Sequence, residues 1–165
     1  MDELRQRLLD RIDAAFDEVE LGDGVSLHEA AVIDDYGTDE QRLAARTPDE
    51  KLDWRKSIDD PEMTRLFTVG NGGLCFLDAE GVRFYLPACL SRWLRDPDGQ
   101  ATGNMTESLE YLLTLLDNYS LERLAILNDA QRLCVRDVLI HFREGRSYFV
   151  TELDQAIAGY WSQRA

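Results

Sequence analysis

Three helix-start signals fall within 25 residues of one another, and they constrain the first part of this chain more than any other feature. Ser26-x-x-Glu29, Thr38-x-x-Gln41 and Thr47-x-x-Glu50 each pair a hydroxyl with a carboxylate or amide three positions on. In that arrangement the hydroxyl and the later side chain satisfy each other's orphan backbone donors. Pro48 follows Thr47 directly, at the first helical position, where its missing N–H is harmless. Asp60-Pro61-Glu62 repeats the pattern for a short helix through Phe67. Ahead of them Leu4, Leu8, Ile12, Ala15, Phe16 and Val19 form an apolar stripe at helical spacing, stopped by Gly22-Asp23-Gly24. Residues 1–67 therefore read as short helices.

The period then changes. Leu74–Leu77 and Val82–Leu86 are short runs of strand formers around Asp78-Ala79-Glu80-Gly81. They predict a hairpin over 74–86, with Gly81 left-handed at a bulged turn. In that register Phe76 faces Phe84, Leu77 faces Arg83 and Cys75 faces Tyr85. Leu74, Phe76, Phe84 and Leu86 line the core side, and Arg83 and Tyr85 line a half-covered side. Asp78 and Glu80 at the tip are turn formers, with too few oxygens for calcium. Pro87 is expected to open a helix through about Arg95, and 96–104 (DPDGQATGN) a loop. Leu109, Leu112, Leu113 and Leu116 mark one later helix, and Asn128-x-x-Gln131 caps another. A last helix spans about 151–162. The expected fold is α+β: mostly short helices around a small antiparallel sheet, in a single domain over 1–165.

Function is less marked. The chain carries 32 acids against 18 lysines and arginines, for a net charge of −14. Residues 1–65 hold 19 acids and 9 bases, so the first half is the more negative. Such a field opposes nucleic acid and anionic membranes, and it suits a basic protein partner. No apolar run approaches the roughly 20 residues of a membrane span, and no signal peptide is visible, so a cytoplasmic setting is expected. Cys75, Cys89 and Cys134 are far apart among apolar neighbours and read as small buried hydrophobes in a reducing compartment. His28 and His141 are the two histidines. His28 and Asp35 on one helix are separated by about 10 Å, too far to share a metal. No metal or cofactor is expected, and no P-loop, dinucleotide or nucleophile-elbow pattern occurs.

Two constellations stand out. Asp34, Asp35 and Tyr36 close the helix that starts at Leu27, where acids oppose the helix dipole at about 0.3–1 kcal/mol each. Arg42, Arg46, Arg83 or a ligand is expected to offset them, with a buried pair to Arg83 the favoured arrangement. Asp53-Trp54 sets an acid beside a large aromatic, read as a packing anchor first and an interface residue second.

The blocks LGDGVSLHEAAVIDDYG, AARTPDEKLDW, FLDAEGVRFYLPA and LNDAQRLCVRDVLIHF resemble, in order, a bacterial family of small proteins with no assigned function. That resemblance implies a shared fold and little more. The NGG at 71–73 and LPACL after the hairpin are also similar to immunity-type proteins, although the order of motifs differs. Two functions follow as expectations. One is a non-catalytic interaction module, immunity- or adaptor-like, that covers a basic partner. The other is a small hydrolase or transferase using Asp34, Asp35 and Tyr36 with Arg83 or Tyr85, which requires a pocket joining those residues.

Overall fold

Twelve of the seventeen residues in the helix Ala79–Arg95 are buried, on every side of it. A helix that is apolar all round belongs at the centre of a bundle, and the rest of the chain wraps this one. The structure is a computed structural model and describes residues 2–68, 73–96, 105–144 and 150–163. In chain order the helices are α1 Glu3–Ala15, α2 Leu27–Asp34, α3 Asp39–Arg46, α4 Pro61–Leu66, α5 Ala79–Arg95, α6 Met105–Thr114, α7 Asn118–Leu124, α8 Asp129–Glu144 and α9 Val150–Ala156. Turns of 3₁₀ helix at Trp54–Ser57 and Gly73–Phe76 and a π-helical turn at Ile157–Trp161 complete it. Helix α5 packs against α1, α6, α7, α8 and the Trp54–Ser57 turn. Among the described residues no strand occurs, so the fold is all-α and the expected α+β sheet is overturned.

The correction centres on Asp78. Its Oδ1 accepts the Gly81 N–H at 2.8 Å, which makes it the N-cap of α5 rather than a turn residue. The same oxygen accepts the Val25 N–H at 2.9 Å and ties the 22–25 segment to the start of α5. Gly81 is helical, without the positive φ a bulged turn demands. It is glycine because of close approach: a Cβ there would lie 2.6 Å from the Val25 carbonyl oxygen. Gly24 faces it, and a Cβ on Gly24 would lie 2.6 Å from that of Glu80. Pro87 sits inside α5 instead of opening a new helix, at the cost of one helical hydrogen bond.

Other starts fall where expected. Thr38 and Gln41 form a reciprocal capping box on α3, Asp60 caps α4 with Pro61 at its first position, and Asn128 and Gln131 box the start of α8. At α2 the Glu29 half of the box forms, with Glu29 accepting the Ser26 N–H at 3.3 Å. The third box fails. Thr47 ends α3 and its hydroxyl donates back to the Leu43 carbonyl at 2.8 Å. Of the expected 96–104 loop, only Asp96 lies within the described residues.

The core is closed by tryptophans. Trp54 Nε1 donates to the Phe16 carbonyl at 2.8 Å, Trp161 Nε1 to that of Leu113 at 2.9 Å, and Trp93 stacks on Phe142. Among the described residues no helix is long and apolar enough to cross a membrane.

Candidate functional site

Helix α2 is gripped at its N-terminus and bare at its C-terminus. Two of its first N–H groups, which no helical carbonyl can accept, have side-chain partners from distant segments. Tyr85 Oη accepts from Leu27 N at 3.0 Å, and Asp49 Oδ2 accepts from His28 N at 2.9 Å. Asp49 Oδ1 also lies 2.5 Å from His28 Nδ1, while His28 Nε2 faces Glu62 Oε2 at 3.6 Å. Glu62 in turn pairs with Arg65, whose guanidinium holds its carboxyl below the usual range. Glu29 is buried with its carboxylate 3.2 Å from both Arg42 and Arg46. Arg46 extends to the carbonyls of Gly22 and Gly24. This network fixes α3 against α2 and the 22–25 segment.

The other end of α2 closes differently. The Gly37 N–H bonds to the Val32 carbonyl at 2.8 Å and the Tyr36 N–H to that of Ile33 at 3.1 Å. These are the two bonds of a Schellman closure, in which the residue after the C-cap is left-handed and usually glycine. Here it is Tyr36, at φ 57°, with its side chain 97% exposed. Gly37 is the next position, where a Cβ would meet the Val32 side chain at 2.3 Å. Asp34 and Asp35 precede it, and neither forms an ion pair with a described residue. The expected partners are engaged elsewhere: Arg42 and Arg46 serve Glu29, and Arg83 lines a cavity beside α1 and the start of α8. The favoured Asp–Arg83 pair is overturned, because α5 is a helix and turns Arg83 away from α2.

Asp34 and Asp35 instead rim a cavity of about 440 Å³ between α2, α3 and α4. Its walls include Ala31, Val32 and Leu66, with His28 and Arg65 at one side. Of the expected site residues, Asp34, Asp35 and Tyr36 come together. Asp53 is an N-cap, accepting the Arg55 N–H at 3.1 Å. Trp54 is 2% exposed, which supports its packing reading and removes it from any surface. Tyr85 is buried on α5, and burial pushes its phenol above the ordinary value. Sequence reading missed His28, Asp49, Glu62 and Arg65 as neighbours. Asp49 lay inside an apparent helix start, and no spacing links it to His28.

The chemistry available is limited. A histidine oriented by a carboxylate is a general-base geometry, yet among the described residues no hydroxyl or thiol lines this cavity. Burial raises the thiols of Cys89 and Cys134 to about 12, so neither is a nucleophile at neutral pH. Cys75, expected to be buried, is exposed. Among the described residues no three histidine, cysteine or acidic side chains gather as a metal-binding group.

Glu50, beyond α3, shows what the failed capping box became. Its carboxylate accepts the Leu52 N–H at 2.9 Å, meets Lys56 at 2.9 Å and accepts the Asp53 N–H at 3.2 Å. The Leu52 bond, then Lys56, lower its carboxyl from 4.5 to about 2. A depressed carboxylate stabilises the fold above the unfolded value and loses that contribution as pH falls through the folded one. Urea titrations should therefore show wild type losing stability between about pH 4.5 and pH 2 more steeply than Glu50→Gln. Parallel curves would show that this network contributes nothing.

No curated protein and no solved structure matches this chain. A sequence model described as Family of unknown function (DUF6714) matches residues 4–165. The four sequence blocks, the bundle around α5 and the α2–α3 corner all lie within that match, and the chain therefore belongs to this family of unknown function.

Proposed function

We propose that this protein is a non-catalytic interaction module, adaptor- or immunity-like, that receives a basic segment of a protein partner at the α2–α3 corner. The observation that carries this reading is the cluster Asp34-Asp35-Tyr36. Two acids stand at the wrong end of a helix dipole without ion-pair partners among the described residues, and a tyrosine stands where glycine is favoured. Each choice destabilises the free chain, and such local conflicts concentrate where a surface serves a partner.

The chemistry of the corner suits a lysine- or arginine-bearing segment. Asp39 and Glu40 continue the exposed acidic run, with no base between residues 34 and 40. The apolar walls of the neighbouring cavity fit the aliphatic stem of a long basic side chain, leaving its head at Asp34 and Asp35. Tyr36 offers a large rigid contact and a face for a cation. We place the module in the cytoplasm, a reducing compartment consistent with three free cysteines.

Tyr36→Gly separates stability from function. Relieving the left-handed strain should stabilise the free protein by about 1 kcal/mol, raising Tm by about 2–4 °C. The same variant should lose a partner that wild type recovers stoichiometrically, and that complex should weaken as salt rises. Equal recovery by Tyr36→Gly and wild type would defeat the proposal, as would affinity that is flat with salt.

A further inference from the structure

We infer that a second cavity, between the end of α1, α5 and the start of α8, binds a small zwitterion of the amino-acid type, with its carboxylate on Arg83. This rests on residues separate from the α2–α3 corner. The cavity measures about 410 Å³, and Arg83, Asn128, Gln131, Asp17 and Glu18 are among the residues that line it. Pockets for small ligands have this size.

Arg83 is the anomaly. Among the described residues every other arginine has an ion pair or a carbonyl to donate to, in a chain with 32 acids. Arg83 has neither, and its Nε is sequestered from solvent without a partner. Leaving a partly desolvated guanidinium unpaired is unfavourable. Two other residues that line the cavity are donors too. Gln131 is 3% exposed, and its Oε1 accepts the Asn128 N–H at 3.1 Å. Asn128 Oδ1 accepts the Gln131 N–H at 3.0 Å. Both amide oxygens thus serve the capping box, and both amide NH₂ groups have no partner among the described residues. The start of α8, a sixteen-residue helix, adds the positive end of its dipole at the same cavity. A guanidinium, two amide donors and a helix start together ask for an anion.

The rest of the cavity decides which anion. A phosphate dianion would meet the field of a −14 protein and the carboxylates of Asp17 and Glu18. A planar carboxylate matches the guanidinium fork. An ammonium on the same molecule would answer Glu18, which is exposed and makes no ion pair with a described residue, whereas Asp17 already holds Arg55 at 2.8 Å. A zwitterion carries no net charge and enters the acidic field without long-range repulsion.

The test is thermal shift followed by calorimetry, with the free L-amino acids added singly at about 10 mM, and acetate, methylamine and inorganic phosphate as separate arms. At least one amino acid should raise Tm by about 2 °C or more while the three simple ions do not. Arg83→Gln should weaken that amino acid at least tenfold. Glu18→Gln, at an exposed position that spares the fold, should erase the preference for the amino acid over acetate. It keeps the proposal testable if Arg83→Gln does not fold. No shift with any amino acid would overturn the proposal. So would acetate or phosphate binding as well as the best amino acid, or undiminished binding by either variant.

Discussion

Glu29→Ala should cost about 3–5 kcal/mol, the range for removing one partner of a buried ion pair. The carboxylate it deletes is the shared acceptor of Arg42 and Arg46 at 3.2 Å each and of the Ser26 N–H at 3.3 Å. Without it, Arg46, with only 16% of its side chain exposed, keeps just the carbonyls of Gly22 and Gly24. The stranded cation accounts for most of the loss. A chain of this size should melt about 10 °C lower, on a scale of about 2–4 °C per kcal/mol. Glu29→Gln retains the shape and an acceptor, and it should cost less than half as much. Because Glu29 fixes α3 against α2, the alanine variant should also speed hydrogen exchange in α3 before global unfolding. Chemical denaturation of the two variants provides the measurement. A loss under about 1 kcal/mol for Glu29→Ala would show that the cluster behaves like exposed surface pairs.

How much of this was legible in advance depends on how local each signal is. Thr38, Asp60 and Asn128 mark real helix starts because a cap is completed within three residues. Thr47-x-x-Glu50 has the same letters and no helix, because its parts find other partners: the Leu43 carbonyl for Thr47, and Leu52, Asp53 and Lys56 for Glu50. The false hairpin has a different cause. A strand that alternates faces and a helix buried on all sides both bring Phe84, Tyr85 and Leu86 into contact with apolar partners. Periodicity cannot separate the two over so short a run. Length could have done so, since the apolar stretch continues through Pro87 to Leu94.

The candidate site divides along the same line. Acids at the end of α2 are anomalous from sequence alone, because the dipole argument needs only the helix boundary. Their neighbours His28, Asp49 and Glu62 meet through segments up to 34 positions apart, with no code in the spacing. Tyr36 stands out in the sequence by its position beside the acids. Its left-handed backbone adds a reason that the sequence does not offer. Arg83 is a candidate partner of these acids in the sequence, and the helix that carries it to the cavity beside α8 leaves it without a partner among the described residues.

Gly81→Val should destabilise by about 3 kcal/mol or more, at the upper end of overpacking effects. The reason distinguishes the helix from the hairpin. In a bulged turn the penalty would come from φ, so asparagine, which tolerates the left-handed region, would be accepted better than alanine. In α5 the φ is ordinary and the obstacle is space. A Cβ would lie 2.6 Å from the Val25 carbonyl oxygen, 3.0 Å from Asp78 Oδ1 and 3.3 Å from Leu77 Cβ. None of these is the free end of a flexible side chain. The Val25 backbone is held by its bond to Asp78, and Asp78 is held by capping Gly81. Moving any one of them breaks the N-cap and releases the 22–25 segment that Arg46 grips. Alanine should therefore be destabilising by itself, and asparagine at least as much, with valine worst because its branched methyls extend the same clash. The order Gly, Ala, Asn, Val in urea midpoint, with m unchanged, is the expected result. Asparagine tolerated better than alanine would mean that this position is left-handed and that α5 does not begin at Ala79.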